Sequence, residues 1–279
     1  VLFGTRSNGI VKTEDGGESL EVTNFTSAKV YGLEFSPGDQ NIIYASAVLQ
    51  GRGKIFKSTD FGKNWDEIYT SASNGPLVIS LEIDINNPEV LFATTSDNQF
   101  IKTADGGLTW KNLFIAPNPI LKTVVNKGDS NFVYFFTSGN KVYRSKDGGE
   151  TPEDISKQVF AGVKGSNQIT ALITDPHNSG WVYIGGGMGI LRSKNSGDTW
   201  EKVEILNDPN KFSVKTVAIN PSNSQEIIYS APQAVYKSTD DGIHWSTSQL
   251  VSSQLVNVMK YSYTNPNIIY LGLTKSGKK

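Results

Sequence analysis

The chain contains no cysteine. That absence excludes disulfide frameworks, thiolate zinc sites, iron–sulfur clusters and cysteine nucleophiles. Histidine is almost missing too, with only His177 and His244, too few for a His-rich metal centre. Neither a metal nor a cofactor is expected. Charged residues make up 19% and nearly cancel, with 26 Lys+Arg against 27 Asp+Glu and a net charge of −1. Nucleic-acid binders carry a basic footprint, so no nucleic-acid partner is expected. Only Arg6, Arg52, Arg144 and Arg192 are arginines, which further weakens phosphate reading. No apolar run approaches the ~20 residues of a membrane helix, so a soluble chain without membrane insertion is expected. Val1 opens the sequence with neither an initiator Met nor a signal-peptide pattern, as a mature form or an excised piece would.

Aromatics are present at 10%, and 27 glycines stand against 11 prolines. That aromatic content can bury enough surface to offset chain entropy, so disorder is excluded. Short β-forming runs such as Phe132-Val-Tyr-Phe-Phe136 are separated by Gly, Pro, Asn and Asp, the pattern of an all-β repeat fold. No stretch sustains a 3.6-residue apolar period, so helix content should be negligible.

One octet recurs six times: Thr13-Glu-Asp-Gly-Gly-Glu-Ser-Leu20, Ser58-Thr-Asp-Phe-Gly-Lys-Asn-Trp65, Thr103-Ala-Asp-Gly-Gly-Leu-Thr-Trp110, Ser145-Lys-Asp-Gly-Gly-Glu-Thr-Pro152, Ser193-Lys-Asn-Ser-Gly-Asp-Thr-Trp200 and Ser238-Thr-Asp-Asp-Gly-Ile-His-Trp245. Its third positions, Asp15, Asp60, Asp105, Asp147, Asn195 and Asp240, are spaced by 45, 45, 42, 48 and 45 residues. Two β-forming residues and a cation precede each octet, as in Ile55-Phe56-Lys57 and Val142-Tyr143-Arg144. Two further short strands lie upstream. Four strands in about 45 residues is the unit of a β-propeller blade. With strands a to d counted from the centre outward, the octet falls on the c–d turn. There the acid accepts turn amides, glycine supplies a positive φ, and Trp65, Trp110, Trp200 and Trp245 open strand d.

The expected fold is therefore all-β, a β-propeller of four-stranded antiparallel blades in one domain spanning 1–279. Dividing 279 by 45 gives about six units, and six blades are favoured. Val256 to Tyr261 reads as a strand a that completes the first blade, so strands from 255–273 would close the ring. Seven blades remain open if the chain is cut within a repeat, because the run Ile268-Ile-Tyr-Leu-Gly272 is a surplus strand b.

The octet resembles the Asp-box, or bacterial neuraminidase repeat, Ser-x-Asp-x-Gly-x-x-Trp. The resemblance covers essentially the whole chain and implies the propeller fold. It also implies a range of functions, because Asp-box propellers include sialidases, xyloglucanase-type endoglucanases, sortilin-type receptor ectodomains and photosystem II assembly factors. A sialidase would need an arginine triad and an Arg-Ile-Pro segment, and the latter is absent. Xyloglucanase-type enzymes set their acids between two propellers, and sortilin-type ectodomains use ten blades and a cysteine-rich tail. The assembly factors carry an arginine-rich patch that is missing here.

The six third-position residues, five acids and Asn195, are spread evenly through the repeats and read as turn stabilisers, since a catalyst needs one asymmetric site. The cation column reads as solvated strand positions pairing with nearby acids. His177 and His244 read as exposed turn residues. Asn24-Phe25-Thr26 fits a glycosylation sequon, and Gly185-Gly-Gly-Met-Gly189 reads as a hairpin turn rather than a phosphate loop. The b–c and d–a loops emerge opposite the octets, where rigid scaffolds usually carry binding residues. Candidate contacts there are Arg6, Gln50, Arg52, Asn98, Gln99, Asn140 and Gln233, with Phe160 and Phe212 from the d–a loops. Two arginines in that set suit a carboxylate or sulfate. Glu34 and Glu82 share one column of strand a with Val124, Ile173, Ala218 and Lys260, and paired carboxylates can serve a glycosidase. The expectation is a non-catalytic, extracellular or periplasmic platform for a protein or polysaccharide ligand. Its alternative is a glycoside hydrolase, or half of a two-propeller enzyme, using Glu34 and Glu82.

Overall fold

The computed structural model describes residues 1–15, 17–72, 75–232, 234–250, 254–262 and 265–274. Apart from one helical turn at Ser156–Val159, its regular elements are strands in antiparallel sheets. Each of the six octets belongs to its own sheet, and the fold class is a six-bladed β-propeller of four-stranded blades. The second blade shows the pattern: Lys29–Phe35 (a), Ile43–Leu49 (b), Arg52–Ser58 (c) and Asp66–Thr70 (d). The third runs Val78–Ile83, Leu91–Thr95, Gln99–Thr103, Lys111–Ile115. The fifth runs Ile169–Thr174, Val182–Gly186, Gly189–Ser193, Glu201–Val203, and the sixth Thr216–Asn220, Asn223–Ala231, Ala234–Ser238, Ser246–Gln249. Leu2–Gly4, Ile10–Lys12 and Glu21–Val22 form a three-stranded sheet, and Leu255–Tyr261 pairs with Ile269–Thr274.

The chain resolves into two compact units. The first comprises Val1–Val125, Thr137–Gly139 and Ser145–Pro152, the second Asn126–Phe136, Asn140–Arg144 and Glu153–Lys279. Within each unit the apolar clusters lie between neighbouring sheets. One joins Ile10 and Phe25 to Ile43, Ala45 and Phe56. Another joins Tyr44 and Ile55 to Leu81, Leu91 and Ile101, and a third joins Tyr183, Ile190 and Val203 to Val217, Ile227 and Tyr229. Strand b carries β-branched and aromatic residues because it is covered on both faces: every residue of Leu91–Thr95 and Val182–Gly186 is buried. Strand d is the edge, and all of Ser246–Gln249 is exposed.

The octets form one hydrogen-bonded turn six times over. The first hydroxyl donates to the acid's Oδ1, at 2.9 Å for Ser58–Asp60, 2.6 Å for Thr103–Asp105 and 2.8 Å for Ser238–Asp240. It also accepts the amide of the fifth residue, at 2.8 Å for Gly62 and 2.9 Å for Gly107. Oδ1 then accepts the amide of the seventh residue, as Asn64 does with Asp60 at 2.8 Å and Thr151 with Asp147 at 2.9 Å. Two consecutive residues take positive φ: Phe61 and Gly62 at 60° and 80°, Ser196 and Gly197 at 57° and 91°, Asp241 and Gly242 at 62° and 89°. The fifth-position glycine was foreseeable, whereas the strained fourth residue was not. The indole Nε1 of Trp65, Trp200 and Trp245 donates to that glycine's carbonyl, each at 3.1 Å. Each tryptophan sits one residue before strand d, and Pro152 holds the same place before Glu153–Asp154. Trp65 packs on Phe25, Trp110 on Tyr69 and Trp245 on Tyr229, with ring centroids 5.1, 5.7 and 4.8 Å apart.

The cation column does more than face solvent. Each of its first five members reaches the fourth residue of the next octet. Lys12 lies over the Phe61 ring at 5.9 Å, and Lys57 Nζ lies 3.3 Å from where a Cβ on Gly106 would stand. Lys102 Nζ donates to Gly148 O at 2.8 Å and Arg144 Nη1 to Ser196 O at 2.7 Å, while Arg192 Nη1 meets Asp241 Oδ1 at 2.5 Å. Arg144 and Arg192 are only 3% and 8% exposed, which overturns the solvated reading for both. Each also pairs with an acid of its own strand d, Glu153 at 2.6 Å and Glu201 at 2.7 Å. Burial opposes the charge of Arg144, yet Asp198 and Glu153 outweigh it and hold its pKa above the ordinary value. Arginine's planar fork of donors serves both acids at once.

Two predictions follow from these turns. Turn hydrogen bonds hold Asp60, Asp105, Asp147 and Asp240 at a pKa of about 2, below the ordinary 3.8. A depressed folded-state pKa contributes stability above the unfolded value and loses it as pH falls through the folded one. Replacing Asn195, the one amide in the column, by aspartate (Asn195→Asp) therefore raises the thermal midpoint at pH 7. The gain fades between about pH 4 and pH 2, which scanning calorimetry across that range checks. For the cation column, Arg192→Ala costs about 1–3 kcal/mol in urea unfolding, since charged hydrogen bonds are lost beside half-exposed acids. Arg192→Lys costs less, because Lys102 makes the same reach with an ammonium.

Candidate functional site

In each sheet that carries an octet the b–c turn lies at the strand ends opposite it, and at that end the sequence-selected residues fall into three groups. The first group serves the turns themselves. Gln50 and Gly51 both have positive φ (53° and 76°) between the paired Leu49 and Arg52, the geometry of a two-residue type I′ turn. Asn98 and Asn140 have φ of 71° and 57°, and asparagine tolerates that region better than most residues. Asn140 Oδ1 also accepts the amide of Ile169 at 3.1 Å. The Gln99 amide is used twice, donating to Asp97 at 2.6 Å and accepting from Asn112 at 2.9 Å. Gln233 lies outside the described residues.

The second group is the arginines. Arg6 is exposed in the loop between Leu2–Gly4 and Ile10–Lys12, its guanidinium stacked 4.1 Å above the Tyr31 ring. Arg52 is the first residue of strand c rather than part of the loop, and it is half-buried. Neither forms an ion pair among the described residues. The aromatics form the third group. Phe160 is half-buried just after the helical turn, while Phe212 is 50% exposed.

Registers are seen for five members of the strand-a column. Glu34 lies opposite Tyr44, Glu82 opposite Phe92, Ile173 opposite Tyr183, Ala218 opposite Ile228 and Lys260 opposite Tyr270. Glu82 pairs with Lys122 at 3.4 Å, its side chain 19% exposed. Lys122 belongs to the next strand a, Ile120–Val125. Several carboxylates elsewhere are lowered. Asp15 is held well below the carboxylate range by Ser19 and Thr13, and Glu150 is lowered chiefly by Lys111 and then Lys102. Glu201 and Glu226 also move down, because Arg192 and Lys237 outweigh their burial. Among the described residues no group of three His, Asp or Glu is placed to hold a metal ion.

The remaining motifs are structural. His177 is exposed and donates its amide to Asp175 in a turn, and His244 binds Asp240 with Nδ1 at 2.6 Å while 84% exposed. Gly186 pairs with Gly189 across a two-residue hairpin. In the sequon, Asn24 donates its amide to Lys63 O and Phe25 is buried.

Two clefts occupy equivalent places, each between a d–a segment and the outer half of the following blade. In the first unit Asn24, Phe25, Thr26 and Ala28 face Leu49, Phe56 and Trp65 around about 340 Å³. In the second unit Val159 and residues 161–164 face Met188, Leu191, Trp200 and Lys202 around about 380 Å³, with Asp208, Pro209 and Asn210 as a second wall. The sequence pointed only to the long d–a connection as variable. Which blade residues it faces depends on sheet packing that no local pattern reports.

Comparison with known proteins agrees with this fold. A family model described as sortilin, neurotensin receptor 3, matches residues 140–276. Xyloglucanase Xgh74A of Acetivibrio thermocellus is 26% identical over 273 residues, covering 77% of this chain and 32% of that protein. Sortilin of Rattus norvegicus is 21% identical over 224 residues, covering 74% of this chain and 25% of that protein. A solved structure of Ycf48 bound to D1 peptide superposes with a TM-score of 0.72 at 15% identity, covering 97% of this chain and 86% of that one. The chain thus spans about a third of the xyloglucanase and a quarter of sortilin. No helix among the described residues is long and apolar enough to cross a membrane. The chain takes its place in the β-propeller superfamily to which xyloglucanases, sortilin and Ycf48 belong.

Proposed function

We propose that the chain is a non-catalytic binding platform, working outside the cytoplasm, that presents its b–c and d–a loops to a protein or glycan. One observation carries this reading: the repeated acids Asp60, Asp105, Asp147 and Asp240 are held at a pKa of about 2 by turn hydrogen bonds, and Glu150, Glu201 and Glu226 are lowered by neighbouring cations. A glycosidase acid must be protonated at working pH, which requires a raised pKa. Arg6 and Arg52, without ion pairs among the described residues, supply the donors such a platform would aim at a carboxylate or sulfate. Exposed Phe212 adds apolar area. The relatives support a ligand of either class, since the Ycf48 structure holds a peptide and the xyloglucanases act on a polysaccharide. An extracytoplasmic setting accords with the solved extracellular domain from B. thetaiotaomicron that shares the fold.

A second reading, a glycoside hydrolase or half of a two-propeller enzyme using Glu34 and Glu82, draws on the xyloglucanase relatives. Reducing-end assays on xyloglucan, mixed-linkage glucan and aryl glycosides separate the two. The platform reading expects release no greater than the blank. Turnover that Glu34→Gln or Glu82→Gln abolishes would overturn it. Charge reversal by Arg6→Glu with Arg52→Glu should weaken a partner recovered by binding screens by about tenfold or more. Unchanged affinity would place the contacts elsewhere.

A further inference from the structure

We infer that the cleft of the second unit is a docking groove for an extended acidic peptide carrying an apolar anchor side chain. This deepens the platform reading, and rests on it only in treating the loop end as the recognition end. Each wall is held by hydrogen bonds and packing of its own. On one side Asp154 Oδ1 accepts the amide of Ser156, whose hydroxyl accepts the amide of Val142 at 3.0 Å, and Val159 is 1% exposed. Opposite, Asp208 O accepts the amides of Lys211 and Phe212 at 3.1 and 2.9 Å, and the Tyr229 hydroxyl pins Asn207 at 2.8 Å. The walls meet at one end, where a Cβ on Gly165 would stand 2.8 Å from Asn210 Oδ1. A preformed groove saves the partner the cost of ordering it.

Shape and charge together select the occupant. About 380 Å³ falls within the ~300–1,000 Å³ of built ligand sites. Its floor is aliphatic and sulfur-bearing, with Met188 and Leu191 each 5% exposed, while Trp200 spends its indole N–H on Gly197. A sugar needs exposed aromatic faces and convergent polar groups, whereas this floor suits one apolar side chain. Lys164 and Lys202 line the groove, exposed, and Lys157 and Lys211 belong to the same two walls. None of the four forms an ion pair among the described residues. The one acid lining it, Asp208, already accepts two hydrogen bonds from Asn210. The equivalent cleft of the first unit has no charged lining residue, so the fold itself does not demand these lysines. Excess cations over an apolar floor complement acids flanking a Leu or Phe.

The test is fluorescence anisotropy with a labelled octapeptide, Gly-Asp-Glu-Leu-Phe-Asp-Glu-Gly, added to the intact chain. Saturable binding with a midpoint below about 100 µM is expected at low salt, weakening as ionic strength rises. Replacing the probe's Leu and Phe by serine should weaken it about tenfold or more, and so should the surface pair Lys164→Glu/Lys202→Glu. Ala161→Trp, at an exposed lining position, should block the groove, with an unchanged thermal midpoint as the check on folding. Lys63→Glu, exposed in an octet of the first unit, should leave the probe's affinity intact. No saturation by about 1 mM, or affinity indifferent to both groove variants, overturns the proposal. So does a heparin octasaccharide that binds through Lys164 and Lys202 where the peptide does not. Failure of the platform reading shows separately, as Glu82-dependent hydrolysis.

Discussion

Everything else in the fold hangs on one hydrogen bond, from the first hydroxyl of each octet to the acid two residues later. With that bond made, the acid can take the turn amides, and two successive residues are held at positive φ. Their left-handed conformation turns the chain sharply enough for tryptophan to reach back to the glycine carbonyl, as Trp65 does to Gly62. The same conformation leaves the fourth residue projecting where the preceding blade's cation can reach it. A local turn thereby becomes the contact between repeats. Stability in repeat folds is largely a sum of such nearest-neighbour terms, so one turn repeated six times does both jobs.

That arrangement divides the labour between the two ends of every sheet. At the octet end the hydrogen bonds, ion pairs and tryptophan packing leave little latitude. At the other end the b–c turns need only compatible φ values, and the d–a connections have no repeated duty. They range from residues 116–119 to residues 155–168 and 204–215. Both long connections lie in the second unit and wall its groove. Length alone does not make a site, but both are tied down by their own hydrogen bonds, as Asp208 and Asn207 show. A rigid insertion can hold unneutralised lysines over an apolar floor, which a mobile one would not.

Legibility differed sharply between fold and site. The octets, their spacing and the strand-a column were readable because each obeys a local rule of turn chemistry or alternation. The fourth-position strain at Phe61, Ser196 and Asp241 was not, since nothing in those side chains announces it. Arg144 and Arg192 looked like surface cations for a similar reason, because burial comes from the neighbouring sheet. Among the candidate contacts, Gln99 and Asn140 proved to be engaged within the fold, and Arg52 begins a strand. Glu82 pairs with Lys122, a contact set by which inner strands lie side by side.

The opening absences keep their force. A chain without cysteine and with two histidines must build rigidity from hydrogen bonds and packing, and the repeated Ser/Thr, Asp, Gly and Trp residues state how. Composition and periodicity alone determined an all-β repeat architecture, its turn chemistry and its nearly neutral charge balance. Tertiary structure decided which cations are buried, which acids they meet, and where two distant loops enclose a groove. The physical reason is range. Turn and strand preferences act over a few residues, whereas burial and ion pairing are set by neighbours some 45 residues away.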